Sequence, residues 1–523
     1  MPKTEYRKRR YWEPFLIGIS AAIGLIAGYN MDFDHSNTSL LTKSEAANVQ
    51  SASIQGDGRI EEIIRFIENK YVDSIETEKM TINLINDMLS KLDPHSSYIT
   101  PEELEGHNER MSGTYRGVGI ESLKLRDTFY ITSLVKKGPA ELGGMQIGDA
   151  FLKIGDREVA GQGLRFQDVR ELLKDSLKNT LEIEVQRLDK TKEKLTINIS
   201  EIVVPSASIC YLLDEETAYL KLSRFSANTY EQFIESIESL KEDRTSLNLV
   251  LDLRDNPGGF LPQAIKILSQ LFGEKDKLLT YTEGLNQKKQ EFRSTGNAFY
   301  NIGKVAILID GYSASGSEIL SGAIQDWDRG IVIGETSYGK GLVQEIYPLR
   351  NGGALRLTVA KYYTPSGRLI QKSYASENNV FEADSNRYET KVLARELRSG
   401  NGISPDLKIP SSYVPTCYDY GYYFDFYIMN QMIVNGSQEL VPADLSKSNY
   451  NNYIATTYNE DYIALSNGCN QDFDLEIWKA YNNMILDDFE YMKFLNKNDS
   501  YVSAAMEFME DNRQTLSYLS EEK

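Results

Sequence analysis

The sequence predicts a multidomain chain of mixed α/β and α+β class, and three observations lead there. Strand-like and helix-like runs alternate over 205–410, short strands with Gly punctuation fill 113–204, and apolar residues at helical spacing mark 57–112 and 411–523. In order, the expected parts are a basic tail and membrane-anchor segment (1–31), a flexible stalk (32–56), a helical segment (57–112), a compact strand-rich unit (113–204), a mixed-sheet domain (205–410) and a helical C-terminal extension (411–523). A chain of 523 residues is too long for one hydrophobic core. Its 41% hydrophobic and 25% charged residues are ordinary for globular domains. The formal charge of −19 argues against nucleic acid as a partner, because its phosphates would be repelled.

The N-terminus reads as an address. "KTEYRKRR" is basic, and "PFLIGISAAIGLIAGYNM" (14–31) carries no charge, the pattern of a signal peptide or anchor with its basic end in the cytoplasm. Neither an Ala-x-Ala cleavage site nor a Cys for lipid attachment follows, which favours a retained single-pass anchor in the cytoplasmic membrane. Everything beyond it is then expected on the extracytoplasmic, periplasmic side. The Ser/Asn/Thr/Gln-rich stretch 36–56 reads as the stalk. Cys210, Cys417 and Cys469 have no metal-ligand spacing, and one disulfide or three inert thiols both fit.

Beyond the stalk, "RIEEIIRFIENKYV" and "KMTINLINDMLSKL" are amphipathic helices. In the next unit "FYITSLV", "TLEIEVQRL" and "EKLTINISEI" are strands, "RFQDVRELLKDS" is a helix, and "GPAELGGMQIGDAFLKIGD" is rich in turns. In the larger domain "TAYLKLSRF", "LNLVLDL" and "KVAILI" are strands, the last two of the kind buried on both faces. The helices "NTYEQFIESIESLKED", "LPQAIKILSQLF" and "EILSGAIQDW" alternate with them, implying βαβ units. The extension 411–523 reads as mostly helical and shows no chemistry of its own.

The chemistry concentrates in "IVIGETSYGKGLVQEIYPL" (331–349), whose Lys340 has three readings. Gly334-x-x-x-x-Gly339-Lys340 is nearly a phosphate loop, but Gly341 replaces the Mg²⁺-binding hydroxyl and a β-rich segment follows where a helix is needed. Ser337-x-x-Lys340 matches the acyl-enzyme signature, but the flanking glycines disfavour the helix it requires, and no Ser-Asp-Asn or Lys-Thr-Gly partner occurs. The third reading is a lone general base. Only His35, His95 and His107 are present, none near a serine-bearing strand-to-helix turn, so a Ser-His-Asp triad is disfavoured and HExxH zinc chemistry is absent. A lysine base must be neutral, with its pKa brought from about 10.4 toward 7, roughly 4–5 kcal/mol of desolvation or cationic proximity.

The partner serine lies in "LIDGYSASGSEILSGAIQD", a buried strand entering a small-residue turn and then a helix, the geometry of a nucleophile elbow. Ser313, Ser315 and Ser317 compete for the role, and Ser317 also suits the helix N-cap.

"YSASGSEILSGAIQD" followed by "GETSYGKGLVQ" resembles the carboxy-terminal processing peptidases, or tail-specific proteases, which use a Ser-Lys dyad. "KLDPHSSYITPEEL", "RGVGIE" with "GPAELGGMQIGDAFLKIGD", "LDLRDNPGGFLPQAIKI", "YYTPSGRLIQ" and "GNGISPD" are similar to further signatures of that family, over 57–410. The resemblance implies a PDZ domain over 113–204 and a serine peptidase domain over 205–410, needing no metal or cofactor. It implies Ser315 as nucleophile, Lys340 as base and Gln344 as the residue that orients the lysine. Lys340 and Gln344 share a face of an ideal strand ~13 Å apart, so contact needs a bend at Gly341. The implied oxyanion hole is the amide of Gly316, where the family usually has Ala, with Gly258 preferred over Gly259.

The implied PDZ peptide site is Gly117, Val118, Gly119 and Ile120. Its amides would take a terminal carboxylate and its strand edge an extended peptide, with Val118 and Ile120 favouring apolar tails. The expected partners are proteins with flexible nonpolar C-termini, with 411–523 open to an adaptor or to self-association. Lys174 stands roughly where the family has an arginine after the PDZ helix. The rival reading is a tethered PDZ adaptor with an inert protease-like domain.

Overall fold

The computed structural model describes residues 58–511 and 515, apart from 175–178, 208, 242–243, 245, 377–378, 410–422 and 459–472. The predicted anchor and stalk lie outside them, and among the described residues no helix is long and apolar enough to cross a membrane. The chain divides into two compact units, 1–81 and 82–523. In the first, α1 (Arg59–Lys70) leaves Ile60, Ile63 and Phe66 more than half exposed along one side. The second opens within α2 (Thr77–Ser90) and continues through β1 (Ser97–Ile99) and α3 (Pro101–Ser112), which is capped by Thr100 and Glu103.

The strand-rich unit begins with β2 (Thr114–Gly117), paired antiparallel to β8 (Ser200–Val203). Between them lie β3 (Ile120–Leu125), β4 (Thr128–Leu134), β5 (Ala150–Ile154), β6 (Thr180–Gln186) and β7 (Lys192–Asn198). These form a sheet in that order, with β3 at an edge, and α4 (Phe166–Leu173) contributes Val169 and Leu173 to its core. Period-2 patterning selects the inner face: Leu181, Ile183 and Val185 alternate inward along β6 onto Phe129, Ile131 and Phe151.

The larger domain is built on β9 (Ile209–Leu212), β10 (Thr217–Lys221), β11 (Leu247–Asp252), β14 (Ile302–Ile309), β15 (Ile331–Gly334) and β18 (Leu407–Lys408), adjacent in that order. Only the β9–β10 pairing is antiparallel. The near-continuous apolar strands are buried on both faces, as their composition implied. Leu249 and Leu251 face a core with α5 (Thr229–Lys241), α6 (Leu261–Leu271) and α7 (Gly316–Asp326), through Phe233, Leu268 and Leu320. Val250 faces the other way, with Ala306, Leu308, Ile331 and Ile333, onto Val502, Ala505 and Phe508 of the C-terminal helix.

A second sheet, unread in the sequence, joins β1 to β17 (Ala354–Tyr363), then to the hairpin β12 (Lys275–Glu283) and β13 (Gln290–Thr295). β16 (Leu342–Pro348) also pairs with β17. The extension is helical where described: α8 (Phe424–Asn435), α9 (Lys447–Thr457), α10 (Phe473–Ile485), α11 (Asp488–Asn496) and α12 (Ser500–Glu510). Tyr427, Ile428, Met432 and Ile477 pack on Leu123 and Leu125 of β3, while α12 covers the larger sheet. Cys210 is a free thiol donating to the Ser236 carbonyl, and burial pushes its pKa up to about 12. Cys417 and Cys469 lie outside the described residues.

Candidate active site

Ser315 occupies the turn between β14 and α7 with φ 54° and ψ −110°, a backbone region that L-residues rarely adopt. The structure separates the three competing serines. Ser313 is fully buried, and its hydroxyl donates to the Leu253 carbonyl at 2.8 Å. Ser317 is fully buried and donates to the Asn256 carbonyl at 3.0 Å. It is also the second residue of α7 rather than its N-cap, a place taken by Ser315. Ser315 alone of the three reaches solvent.

Glu318, in the first turn of α7, ties the serine to the lysine. Its Oε2 accepts the amides of Ser315 (2.8 Å) and Lys340 (2.9 Å), and its Oε1 accepts the Ser337 hydroxyl (2.6 Å) and the Gly339 amide (2.7 Å). Tyr362 does the same from the other side, its hydroxyl donating to the carbonyls of Ser315 and Lys340. Two main chains bonded to one carboxylate and one phenol are thereby adjacent. Glu318 is fully buried, and burial pushes its pKa up to about 7 against the pull of its donors. Neither Glu318 nor Tyr362 was identified from the sequence, although Glu318 follows Ser315 at the spacing of a capping box, a signal that was available.

Lys340 is half-buried in the loop after β15. Burial, and then the Arg356 guanidinium, hold its pKa below the usual amine value. The other two readings of its motif find no support: a strand follows Lys340, and Ser337 is buried, its hydroxyl spent between Glu318 and the Ile403 amide. The "YYTPSGRLIQ" and "GNGISPD" segments close this loop, as Gln371 Oε1 accepts the Gly341 amide and Gly402 packs against Ser337.

The strand argument for Gln344 does not hold. β16 starts at Leu342, past Lys340, and the register shifts between Val343 and Gln344. Gln344 Nε2 donates to Thr358 Oγ1 at 3.3 Å, and among the described residues no hydrogen bond joins it to Lys340. The Thr358 amide in turn donates to Ser96 Oγ, which donates to Asp93. The "LDPHSS" turn is thereby bonded to β17, where the His95 carbonyl also accepts from Arg356 Nε. Burial and the nearby Lys340 lower the His95 pKa to about 4.

The Pro257–Gly259 turn abuts the elbow. A Cβ on Gly258 would lie 2.7 Å from Ser315 Cβ and 2.8 Å from the Gly316 nitrogen, and one on Gly259 would lie 2.2 Å from the Phe225 carbonyl oxygen. No side chain fits at either position. The Gly258 amide is spent on Asn256 Oδ1 at 2.9 Å. Among the described residues, the amides of Gly259 and Gly316 have no acceptor.

In the strand-rich unit, Gly117 ends β2, Gly119 takes φ 81°, and Ile120 opens β3. Val118, expected to line the peptide groove, is instead 3% exposed in the unit's own core, with Ile120 packed beside it. The carbonyls of Val118 and Gly119 accept from Ala140 and Val135, while among the described residues their amides have no acceptor. Lys174 is held by Glu109 and Glu105 of α3.

A model described as Peptidase family S41 matches residues 216–379, and one described as a PDZ domain matches 130–187. The chain is 32% identical over 336 residues to a carboxy-terminal-processing protease of Bartonella bacilliformis, covering 64% of this chain and 76% of that one. It is 30% identical over 356 residues to the carboxy-terminal processing protease CtpB of Bacillus subtilis, covering 67% and 72%. A solved photosystem II D1 C-terminal processing protease is similar at 22% identity, over 68% of this chain and 93% of that chain, with a TM-score of 0.36.

Proposed function

This chain belongs to the carboxy-terminal processing protease family, a serine protease carrying a PDZ domain, and from that premise we propose that it works through a Ser315–Lys340 dyad. Neutral Lys340 takes the Ser315 proton as the hydroxyl attacks a peptide carbonyl. The amide of Gly316 and the Gly258–Gly259 turn, where the Gly259 N–H is unspent, receive the oxyanion. Lys340 then protonates the departing amine, and the acyl-enzyme is hydrolysed by a water that gives its proton to Lys340. Gln344 steadies the β16–β17 wall beside the lysine. The observation that carries the reading is the shared anchoring of Ser315 and Lys340 on Glu318 and Tyr362.

The same reading gives the PDZ domain the capture of an apolar C-terminal tail. The unspent amides of Val118 and Gly119 would meet the carboxylate, and the free edge of β3 the peptide main chain. Residues 14–31 would anchor the protein in the cytoplasmic membrane with its catalytic domain on the periplasmic side. Shaving intact spheroplasts with protease should destroy the protein, and survival of the folded chain would reverse that topology. For the chemistry, a peptide ending in apolar residues is incubated with wild type, Ser315→Ala and Lys340→Ala, and both variants should lose cleavage altogether. Wild-type turnover by Lys340→Ala would remove the lysine from the mechanism.

A further inference from the structure

α12 lies beyond the matched span 216–379, yet its first turn reaches the side chain of Arg254, just ahead of the Pro257–Gly259 turn. Arg254 stands two residues before Asn256. Its Nε and Nη2 are taken by Asp252, at 3.0 Å and 2.7 Å to the nearer oxygens, and its Nη1 reaches Asp499 Oδ2 at 2.7 Å. Asp252 is fully buried, so this guanidinium neutralises a charge that has no access to water. The ring of Tyr501 lies 4.8 Å from the guanidinium carbon. The same ring lies against Gly334, where a Cβ would come within 2.7 Å of it, at the end of the strand that leads to Lys340.

From Arg254 the chain is bonded continuously to the elbow. The Arg254 carbonyl accepts from Lys221, and the Asp255 amide donates to Asp310. The Asn256 carbonyl accepts the Ala314 amide and the Ser317 hydroxyl, and its Oδ1 accepts the Gly258 amide. We propose that α12 is a working part of the catalytic domain: Asp499 and Tyr501 are positioning residues that hold Arg254, and through it the Gly258–Gly259 turn, in the geometry that receives the oxyanion. The inference rests on the reading of that turn given above. It assigns a task to a helix for which the sequence offered none.

Asp499 divides its work between its oxygens, which makes the proposal testable. Oδ1 caps α12 by accepting the Tyr501 and Val502 amides, and Oδ2 pairs with Arg254. Asn caps helices as well as Asp does, so Asp499→Asn keeps the cap and removes the ion pair. On the full chain with a peptide ending in apolar residues, Asp499→Asn should lower kcat about tenfold with KM within about twofold, the signature of lost transition-state stabilisation. Asp499→Glu should recover most of that loss, and Tyr501→Leu, which leaves both cap and ion pair, should lower kcat by less. Wild-type kcat and KM in Asp499→Asn, even with a lowered melting temperature, would overturn the proposal. So would a rise in KM alone. Ser315→Ala on the same peptide separates the two readings: full activity there refutes the dyad whatever Asp499→Asn does, whereas lost activity there with unaltered Asp499→Asn refutes only the helix's part.

Discussion

In the proposed mechanism the Ser315 cleft and the Gly117–Ile120 loop both present main-chain amides to a negative charge, and they are built in opposite ways. Around Ser315 and Lys340, a resident carboxylate takes the amides of Ser315, Gly339 and Lys340, and the buried polar groups are satisfied before any substrate arrives. In the Gly117–Ile120 loop the carbonyls are bonded, while the amides of Val118 and Gly119 face no acceptor among the described residues. A site that must hold two reacting side chains in register has its donors spent on internal ties. A site that must catch a ligand keeps its donors unspent. Of the elbow and turn amides, those of Gly316 and Gly259 follow the second rule within a cleft built on the first.

The contrast breaks most sharply at Glu318. Glu318→Gln replaces an acceptor of four hydrogen bonds by a group with one accepting oxygen and a competing donor. Cleavage should fall about 100-fold, as for an approximately 1 Å misplacement of reacting groups, with KM little changed in steady-state kinetics. If kcat survives, the carboxylate is not what aligns the two chains. The open loop predicts the reverse pattern on the substrate side. Amidating the terminal carboxylate of the test peptide should raise KM about tenfold, the loss of charge-assisted hydrogen bonds, and leave kcat unchanged. Equal KM values for the acid and the amide would take the carboxylate out of PDZ recognition.

The smallest effect expected is a displacement of the pH profile. A lysine base works only when neutral, so kcat/KM rises with pH through the lowered pKa of Lys340. Arg356 is the second cause of that lowering, after burial. Arg356→Gln therefore lets the lysine keep its proton longer, and the acid limb should move to higher pH while the plateau rate changes little. An unmoved acid limb would leave burial as the sole cause.

Much of this was legible in the sequence, for reasons that differ by element. The strands Leu247–Asp252 and Ile302–Ile309 are mostly apolar, as a strand covered on both faces requires wherever its buried polar groups are not paired, as Asp252 is with Arg254. The elbow was visible as small residues between such a strand and a helix, but the choice among Ser313, Ser315 and Ser317 needed the burial of the first and third. The hairpin Lys275–Thr295 went unread because its alternation is broken by two register shifts. Val118 was misplaced because an apolar residue beside a binding loop reads the same whether it faces ligand or core.

By itself, the sequence determined the order of the strand-rich unit, the mixed-sheet domain and the helical extension, pointed to a base other than histidine, and narrowed the serine to three candidates. Those are properties of local composition and spacing, which the chain carries before it folds. Only the tertiary structure decided that Glu318 and Tyr362 tie Ser315 to Lys340, that the turn carrying His95 is bonded to β17, and that a helix beginning at residue 500 reaches the loop at 254. The last two contacts join segments more than two hundred residues apart. Burial sets their strength, and burial is defined only once the sheets have closed.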